Sequence, residues 1–297
     1  EQSEVIEIVA AGEHPVIFAG PPGTGKTTVA MIASTLLKDP SPNELKSYQK
    51  ISRYFGIPIE WRPVVSPHHT STALAMIGGG PTPRPGEITR AHGGTLIMDE
   101  FLEFDSHVQE ALREPMESGK ITISRTGNVS IFPAQFLLMA TTNLCPCGHL
   151  VPEKNFECKG RVRFCHSRLQ KLSGPMMDRF SILALSHEWT GQKEVLAKDS
   201  LARISNAIDF RVFTRKQMVS NHHQEISEIE KDVDEFDKEF LLPSLGNSHR
   251  RYQALLRVAR TIADLDMSEK IKMNHIKKAL SLTQEPFNKI KNYIFKY

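Results

Sequence analysis

The feature that most constrains the fold is the segment GPPGTGKTT at residues 20–28, which directly follows the apolar run VIFA. An apolar run ending in glycine and proline is typical of a buried strand that enters a turn. The following segment, TTVAMIASTLLK, has apolar residues at helical spacing. A strand, a glycine loop and a helix in this order form a phosphate-binding loop. The sequence therefore predicts an α/β nucleotide-binding fold rather than a chance glycine turn.

The loop follows the pattern Gly20-x-x-x-x-Gly25-Lys26-Thr27. Its glycines let backbone N–H groups converge on phosphate oxygens, and the helix N-terminus adds its dipole. Lys26 is expected to reach the β- and γ-phosphates of ATP, and the Thr27 hydroxyl to bind Mg²⁺. The residues expected to bind ATP here are Gly20, Pro21, Pro22, Gly23, Thr24, Gly25, Lys26, Thr27 and Thr28.

Two further apolar runs end in polar residues. TLIMDE, at 95–100, predicts a buried strand followed by Asp99 and Glu100, and FLLMATTN, at 136–143, predicts a strand followed by Asn143. Beside a phosphate loop, Asp99 can hold the Mg²⁺ shell and Glu100 can deprotonate an attacking water. Asn143 could position that water or contact the γ-phosphate.

The pattern of elements changes near residue 187. Before it, strands alternate with helices, and FSILAL at 180–185 predicts a fourth strand, so we expect a parallel sheet sandwiched by helices. After it, the periods are helical, as in RRYQALLRVARTIADL, and we expect Asn274 to cap the next helix. ITIS and VSIF flank a predicted hairpin turn, and Asp105 is expected to cap a helix. The predicted domains are an α/β core at 1–186 and an all-α lid at 187–297.

Composition excludes several classes of protein. No run of about 18 apolar residues occurs, so we expect no membrane span, and the acidic first residues lack a cleavable signal pattern. The net charge of +3 is too small to indicate a nucleic-acid binder, so any basic surface must be local. We expect a cytoplasmic protein, and the abrupt start suggests a piece of a longer one.

The four cysteines form a cluster between residues 145 and 165. Cys145, Cys147, Cys158 and Cys165 could bind a structural Zn²⁺, with His149 or His166 as substitute ligands. The C-x-C spacing of the first pair is less common than C-x₂-C, and reduced thiols are the alternative. The sequence leaves this choice open.

Longer segments carry a family resemblance. These are SPHHTSTALAMIGGGPTPRPGEITRAHGGTLIMDEFLEF, LREPMESGKITISR, FPAQFLLMATTNLCPCG, SGPMMDRFSI and SHRRYQALLRVARTIADL. With the phosphate loop, they resemble the AAA+ ATPases of the ComM/YifB, or magnesium chelatase-like, family. More distantly, they resemble magnesium chelatase ATPase subunits and minichromosome-maintenance helicases.

The resemblance implies a role for each matching residue. Gly20–Thr27 corresponds to the Walker A loop, Asp99 and Glu100 to the Walker B pair, and Asn143 to sensor 1. Arg179 in MMDRF corresponds to an arginine finger that reaches the ATP of a neighbouring subunit. Arg250 in SHRRY corresponds to the sensor 2 arginine, with Arg251 as a competitor. A finger supplied by a neighbour implies a homo-oligomeric ring, expected to be a hexamer.

Two insertions are candidates for DNA contact. The resemblance places Arg125, at the tip of the hairpin, where related helicases carry a pore residue that touches DNA phosphate. The segment GGGPTPRPGEITR, with Arg84 and Arg90, is expected to be an exposed loop without regular structure. His68 and His69 are expected to be structural. The family's usual arginine before Pro-His-His is missing, unless Arg62 takes its role.

The resemblance implies a ring-forming, ATP-dependent DNA helicase that promotes branch migration when incoming DNA recombines in natural transformation. The resemblance also implies an N-terminal Lon-like domain in family members, so we expect this sequence to be the motor and lid alone. The main alternative is a protein remodeller of the magnesium chelatase type that does not bind DNA. A small-molecule kinase is a third possibility, which the helical C-terminal region argues against.

Overall fold

A computed structural model describes residues 2–125, 128–145, 176–186, 197–233 and 248–296 of the chain. These residues form two compact units. The first unit contains the chain up to residue 38 and from residue 143 onward, and the second contains residues 39–142. The predicted boundary near residue 187 stays a prediction.

The described strands are β1 (Val16–Ala19), β2 (Val64–Val65), β3 (Gly78–Gly79), β4 (Arg84–Pro85), β5 (Thr95–Met98), β6 (Lys120–Arg125), β7 (Asn128–Pro133), β8 (Leu137–Thr142) and β9 (Ile182–Leu185). The described α-helices are α1 (Gln2–Gly12), α2 (Lys26–Thr35), α3 (Pro42–Tyr54), α4 (Ala73–Ile77), α5 (Glu87–Arg90), α6 (Ser106–Ala111), α7 (Arg113–Ser118), α8 (Ala197–Asp209), α9 (Ile226–Glu230), α10 (His249–Leu265), α11 (Met273–Thr283) and α12 (Glu285–Lys296). Shorter turns are 3-10 helices at Phe101–Glu103, Met177–Arg179 and Asn221–His223, and a π-helix at Phe210–Thr214.

The central strands pair in parallel, as the sequence predicts. In the first unit, β1 pairs with β9, and in the second, β5 lies between β2 and β8. All four residues of β1 and of β5, and all six of β8, are buried. Runs that are apolar throughout are typical of parallel strands covered on both faces. The chain therefore has the predicted parallel sheet flanked by helices, followed by a helical region.

The second unit also carries two short antiparallel pairs. β6 and β7 form the predicted hairpin, in which Arg125 is opposite Asn128 at the tip. β3 pairs with β4, and α5 follows directly. The expectation that residues 78–90 lack regular structure was therefore wrong. Glycines at 78 and 79 adopt positive φ, which lets the backbone turn sharply enough to pair with Arg84 and Pro85.

The C-terminal helices pack around a buried ionic network in the first unit. Arg260 of α10 is completely buried, and its guanidinium contacts Asp232 at 3.2 Å and Asp264 at 3.2 Å. Asp264 also accepts hydrogen bonds from Arg215 at 2.8 Å and from Asn221 at 2.7 Å. Buried charges are tolerated when they are paired and hydrogen-bonded in this way.

Two helix starts test the predicted caps. Asp105 caps α6 as expected, since its carboxylate accepts a hydrogen bond from the backbone N–H of His107 at 2.8 Å. The prediction that Asn274 caps the next helix was wrong, because α11 begins at Met273 with Lys272 at the cap position. The Nδ1 atom of His275 accepts a hydrogen bond from the Lys272 backbone N–H at 3.0 Å, so this N–H at the helix start has a partner without Asn274.

Within the described ranges, no helix combines the length and the apolar character that a membrane crossing needs.

Candidate ATPase site

The loop between β1 and α2 has the backbone geometry of a phosphate-binding loop. Gly23 and Gly25 adopt φ values of 80° and 76°, and open space lies where a side chain at either position would extend. Gly20 is required for a different reason, because a Cβ there would lie 2.3 Å from the carbonyl oxygen of Ser186. The loop therefore needs glycine for its turns and for its packing against the chain after β9.

Lys26 is folded back onto this loop. The side chain is 7% exposed, and its ammonium donates to the carbonyl oxygens of Gly20 at 3.0 Å and Pro21 at 2.6 Å. Thr24 also donates to Pro21 at 3.0 Å, which closes the turn. Thr27 and Thr28, in the first turn of α2, are exposed. The loop thus holds one positive charge beside a helix N-terminus, the arrangement that binds anions.

A cavity of about 240 Å³ lies in the same unit. Its lining includes Phe18 of β1, Val29 of α2 and Ser186 after β9, together with residues of α1, α11 and α12. Glu4 and Lys278, on its lining, form an ion pair at 2.6 Å. The cavity is lined by apolar and charged side chains and contacts the strand and the helix on either side of the phosphate loop, so it is a candidate site for the base of a nucleotide. Sequence periodicity gave no indication of this cavity.

In the second unit, one buried hydroxyl holds both acids of the DE pair. Thr141 of β8 donates to the carboxylate of Asp99 at 2.5 Å, and it accepts from the backbone N–H of Glu100 at 3.0 Å. Because β5 and β8 are parallel neighbours, the side chain of Thr141 reaches the residues that follow β5. Asp99 is half-buried and Glu100 is half-exposed, so both carboxylates can be reached from outside the sheet.

Glu100 occupies a strained backbone conformation. Its φ is 54°, in the left-handed region that residues other than glycine rarely adopt. Its carboxylate lies 3.7 Å from the Nδ1 atom of His69, which stacks on His68 with ring centroids 4.2 Å apart. We expected His68 and His69 to be structural, and His69 also contacts the carboxylate of Glu100. Strain of this kind concentrates at functional sites, where surrounding contacts maintain it.

The three arginines that the sequence singles out in the first unit differ in their surroundings. Arg179 lies in the 3-10 turn before β9 and is half-buried, and Arg250 is exposed in the first turn of α10. Arg251 is buried, and its guanidinium donates to the carbonyl oxygens of Phe180 and Thr283. Arg251 is thus committed to backbone groups, and the sensor 2 role of Arg250 stays a prediction.

The remaining predicted residues are less informative. Asn143 follows β8 and is half-buried, Arg84 is exposed on β4, and Arg90 pairs with Glu87 one turn earlier in α5. Arg62 donates to the carbonyl of Gly93 at 2.9 Å, so it anchors the chain before β5. The side chain of Arg125 lies outside the described residues.

The cysteine cluster is largely outside the described residues. Cys145 is buried, whereas Cys147, Cys158 and Cys165 lie in the range that the structure does not describe. Among the residues that it does describe, no group of three side chains is arranged to hold a metal ion. The zinc site stays a prediction.

Sequence reasoning missed Thr141 and His69 as parts of the site. A threonine within a buried strand and a histidine in a loop have no local pattern that marks them. Their proximity to the DE pair depends on strand order, and the pairing of β5 with β8 could have been inferred only by assuming the sheet topology.

Comparisons with known proteins agree with this geometry. The family model for "Magnesium chelatase, subunit ChlI" matches residues 1–194, and the model for its C-terminal region matches residues 196–283. The chain is 39% identical over 292 residues to the uncharacterized protein YifB of Escherichia coli K12, covering 93% of this chain and 57% of YifB. It is 35% identical over 299 residues to the competence protein ComM of Haemophilus influenzae, covering 93% of this chain and 56% of ComM.

A more distant relative is the probable DNA helicase MCM9 of Arabidopsis thaliana. It is 26% identical over 172 residues, which cover 58% of this chain and 22% of that protein. The chain spans a little over half the length of YifB and ComM. On the two family models and these identities, the chain belongs to the magnesium chelatase-like family of AAA+ ATPases, together with YifB and ComM.

Proposed function

We propose that this chain is the motor of a ring-forming ATPase that moves along DNA, and that it promotes branch migration as the resemblance to ComM implies. The observation that best supports hydrolysis is the hydroxyl of Thr141, which holds the Asp99 carboxylate and the Glu100 backbone at once. The hydroxyl thus fixes the Asp99 carboxylate and the backbone from which the Glu100 side chain extends, so the proposed base is kept beside the proposed Mg²⁺ ligand.

Each catalytic group has one task in this proposal. Lys26 exchanges the carbonyl oxygens of Gly20 and Pro21 for phosphate oxygens, and the open side of the loop at Gly23 and Gly25 receives the phosphates. Glu100 accepts the proton of the attacking water, and Asn143 orients that water. The cavity beside α2 takes the base.

The residues present also suit Mg²⁺. Thr27 supplies a hydroxyl and Asp99 a carboxylate, and both are hard oxygen donors of the kind that Mg²⁺ prefers. When bound, Mg²⁺ neutralises charge on the phosphate oxygens. Arg179 of a neighbouring subunit stabilises the same developing charge, and Arg250 contacts the nucleotide of its own subunit.

Support for a DNA substrate comes from the β6–β7 hairpin and from the relatives. The hairpin carries Arg125 at its tip, opposite Asn128. One arginine from each subunit of a ring provides a circle of positive charge, which can follow a phosphate backbone although the net charge of the chain is small. Arg84 and Arg90 are further candidates for phosphate contact.

The test is ATP turnover with and without single-stranded DNA, together with strand exchange on branched DNA. We expect DNA to raise turnover of the wild type, and Glu100→Gln to lower kcat by about 10²- to 10³-fold while ATP still binds, because the general base is lost. Arg125→Ala should retain basal turnover and lose the response to DNA.

Two results would contradict this proposal in different ways. Full turnover by Glu100→Gln would remove the assigned base. If DNA does not change ATP turnover in either the wild type or Arg125→Ala, the DNA motor is contradicted. The alternative, an ATPase that remodels a partner protein like the magnesium chelatase subunit, would then be favoured.

A further inference from the structure

Arg251 links the lid helix α10 to the turn that carries Arg179. Its guanidinium donates to the carbonyl oxygen of Phe180 at 2.8 Å and makes a longer contact of 3.5 Å with that of Met177. These two residues flank Arg179 in the 3-10 turn Met177–Arg179 and its cap. One side chain of the lid therefore binds the backbone at both ends of the turn.

The same guanidinium is also fixed from the lid side. It donates to the carbonyl oxygen of Thr283 at the end of α11, and it lies 3.8 Å from the ring centroid of Phe287 in α12. Its side chain is 6% exposed. Burial lowers the pKa of Arg251 to about 10, although the Asp178 carboxylate opposes this shift, so the group stays charged at neutral pH. A planar fork of donors can bridge several carbonyls at once, whereas a lysine ammonium cannot reproduce that geometry.

The two ends of the turn are more deeply buried than Arg179. Met177 and Phe180 are buried, whereas Arg179 between them is only half-buried. The carbonyls that Arg251 binds therefore belong to the two buried ends of the turn. The direction in which Arg179 leaves the turn follows from where those ends are held.

The neighbour of Arg251 in sequence points toward a coupling role. Arg250 is exposed in the same first turn of α10, where Ser248 caps the helix by accepting from the Arg251 backbone N–H at 3.4 Å. Adjacent Cα atoms are about 3.8 Å apart, so a movement of this helical turn displaces both side chains together.

We infer that Arg251 is a positioning residue that holds the Arg179 turn against α10 and couples Arg250, at the subunit's own nucleotide, to the finger presented to the next subunit. This inference rests on the proposed ring ATPase. In such a ring, nucleotide binding that shifts the first turn of α10 would also shift Arg179, so the state of one site would reach its neighbour.

The chain offers a matched control on the same helix. Arg260 of α10 is also buried, and it donates to backbone carbonyls of Ser268 and Glu269. Among the described residues, its ion pairs are with Asp232 and Asp264 of the ionic network and not with the Arg179 turn. Arg260→Met should therefore lower the melting temperature without lowering the kcat of the folded protein more than about two-fold, since no contact to the finger is lost.

The first measurement is the kcat and KM of ATP hydrolysis for Arg251→Met, with the melting temperature of each variant. We expect kcat to fall about 10²-fold, the size of effect that a displacement of about 1 Å produces at a catalytic group. The double variant Arg179→Ala with Arg251→Met should match Arg179→Ala alone, because Arg251 acts through Arg179. Where Arg251→Met gives no folded protein, Arg251→Lys, which keeps the charge and loses the fork, takes its place.

The second measurement mixes subunits. Glu100→Gln subunits lack the base but keep their finger, so mixing them with Arg251→Met subunits should restore turnover above the sum of the two, as it should for Arg179→Ala. Recovery with Arg179→Ala but not with Arg251→Met would overturn this inference and leave the ring ATPase intact. A kcat of Arg251→Met within two-fold of the wild type would also overturn it. If mixing does not restore turnover with Arg179→Ala, Arg179 does not act on the neighbouring site. Both the proposed finger and this inference would then be contradicted.

Discussion

Two short segments hold the residues that we propose for ATP hydrolysis, and the chain keeps them in place by different means. The phosphate loop is shaped mainly by nearby residues, since Thr24 and Lys26 donate to the carbonyl oxygens of Gly20 and Pro21 within the same segment. The DE pair is fixed by distant residues, with Thr141 and His69 more than 30 positions away along the chain. In the proposed site, phosphate binding thus depends mainly on local sequence, whereas the position of the proposed base depends on the sheet.

Of the substitutions that test this contrast, Thr141→Val is expected to have the largest effect on kcat. Thr141→Val keeps the shape of the side chain and removes the hydroxyl that holds both Asp99 and Glu100. Hydrogen bonds to charged groups contribute about 1.5–3 kcal/mol, so kcat should fall about 10- to 100-fold, with a smaller change in the Kd of ATP. Steady-state kinetics and an ATP-binding titration measure the two quantities.

Thr95→Val is the control for this substitution. Thr95 is buried in β5, and its hydroxyl has no hydrogen-bond partner among the described residues. Thr95→Val should therefore keep the wild-type kcat and be at least as stable as the wild type. Equal loss of kcat in both variants would show that the strands, and not the Thr141 hydroxyl, set the position of the acids.

A smaller effect is expected in the loop itself. Gly25→Ala must adopt a φ near 76°, which costs about 1–2 kcal/mol for a residue with a Cβ, and the new methyl group enters the space open to phosphate. We expect the Kd of ATP to rise about ten-fold or more, as measured by a binding titration.

Gly56→Ala is the control, because it imposes the same backbone strain at a position outside the phosphate loop. Gly56 adopts a φ of 70° after α3, and nothing lies within 4 Å of the position that a Cβ would occupy. Its melting temperature should fall about as much as that of Gly25→Ala, while its Kd for ATP stays at the wild-type value. A similar rise of Kd in both variants would mean that general destabilisation weakens ATP binding.

Lowering the pH should destabilise the first unit more than the second. Burial lowers the pKa of His14 to about 3 and also lowers those of His222 and His223, and the nearby Arg257 adds to each shift. Glu13 opposes the shift at His223, and Arg211 adds to that at His14. These histidines bind protons more readily in the unfolded chain, so their contribution to the free energy of unfolding is complete above a pH of about 6.5. That contribution is lost as the pH falls through their lowered pKa values, about 3 for His14. The loss is at most about 1.4 kcal/mol per pH unit for each histidine.

Hydrogen exchange at pH 7 and pH 5 measures this difference. Amides of α1 and α10 should lose protection more than those of β5 and β8, although burial also lowers the pKa of His92 in the second unit. His14→Gln should reduce the pH dependence of α1. Equal loss in both units would contradict the assignment to the buried histidines.

The smallest effect is expected at His69. Its contact with Glu100 is partly exposed, and exposed ion pairs contribute at most about 1 kcal/mol. Because this contact restrains the base, His69→Ala should raise basal kcat by up to about five-fold in a turnover assay without DNA. His107→Ala, at an exposed histidine of α6, should leave kcat unchanged. A fall of kcat in His69→Ala would mean that the contact supports the base rather than restrains it.

The central strands could be predicted because each contains a short, mainly apolar run that ends near turn or polar residues, and the structure confirms β1, β5, β8 and β9 within one or two residues. The strands β2, β3 and β4 contain two residues each, too few to produce a periodic pattern. Asn274 shows the corresponding limit for caps, because this good capping residue lies two positions after the cap position, Lys272, and is already inside the helix.

The sequence by itself determined the phosphate loop, the DE pair and the helical C-terminal region. Their physical requirements are local: glycine where φ must be positive, an acid after a buried strand, and apolar residues at helical spacing. Only the tertiary structure decided that Thr141 holds both acids, that His69 contacts Glu100, and that Arg251 binds the turn of Arg179. These contacts join residues far apart in the chain, and a side chain's partner across a sheet or between helices is set by packing rather than by its neighbours in sequence.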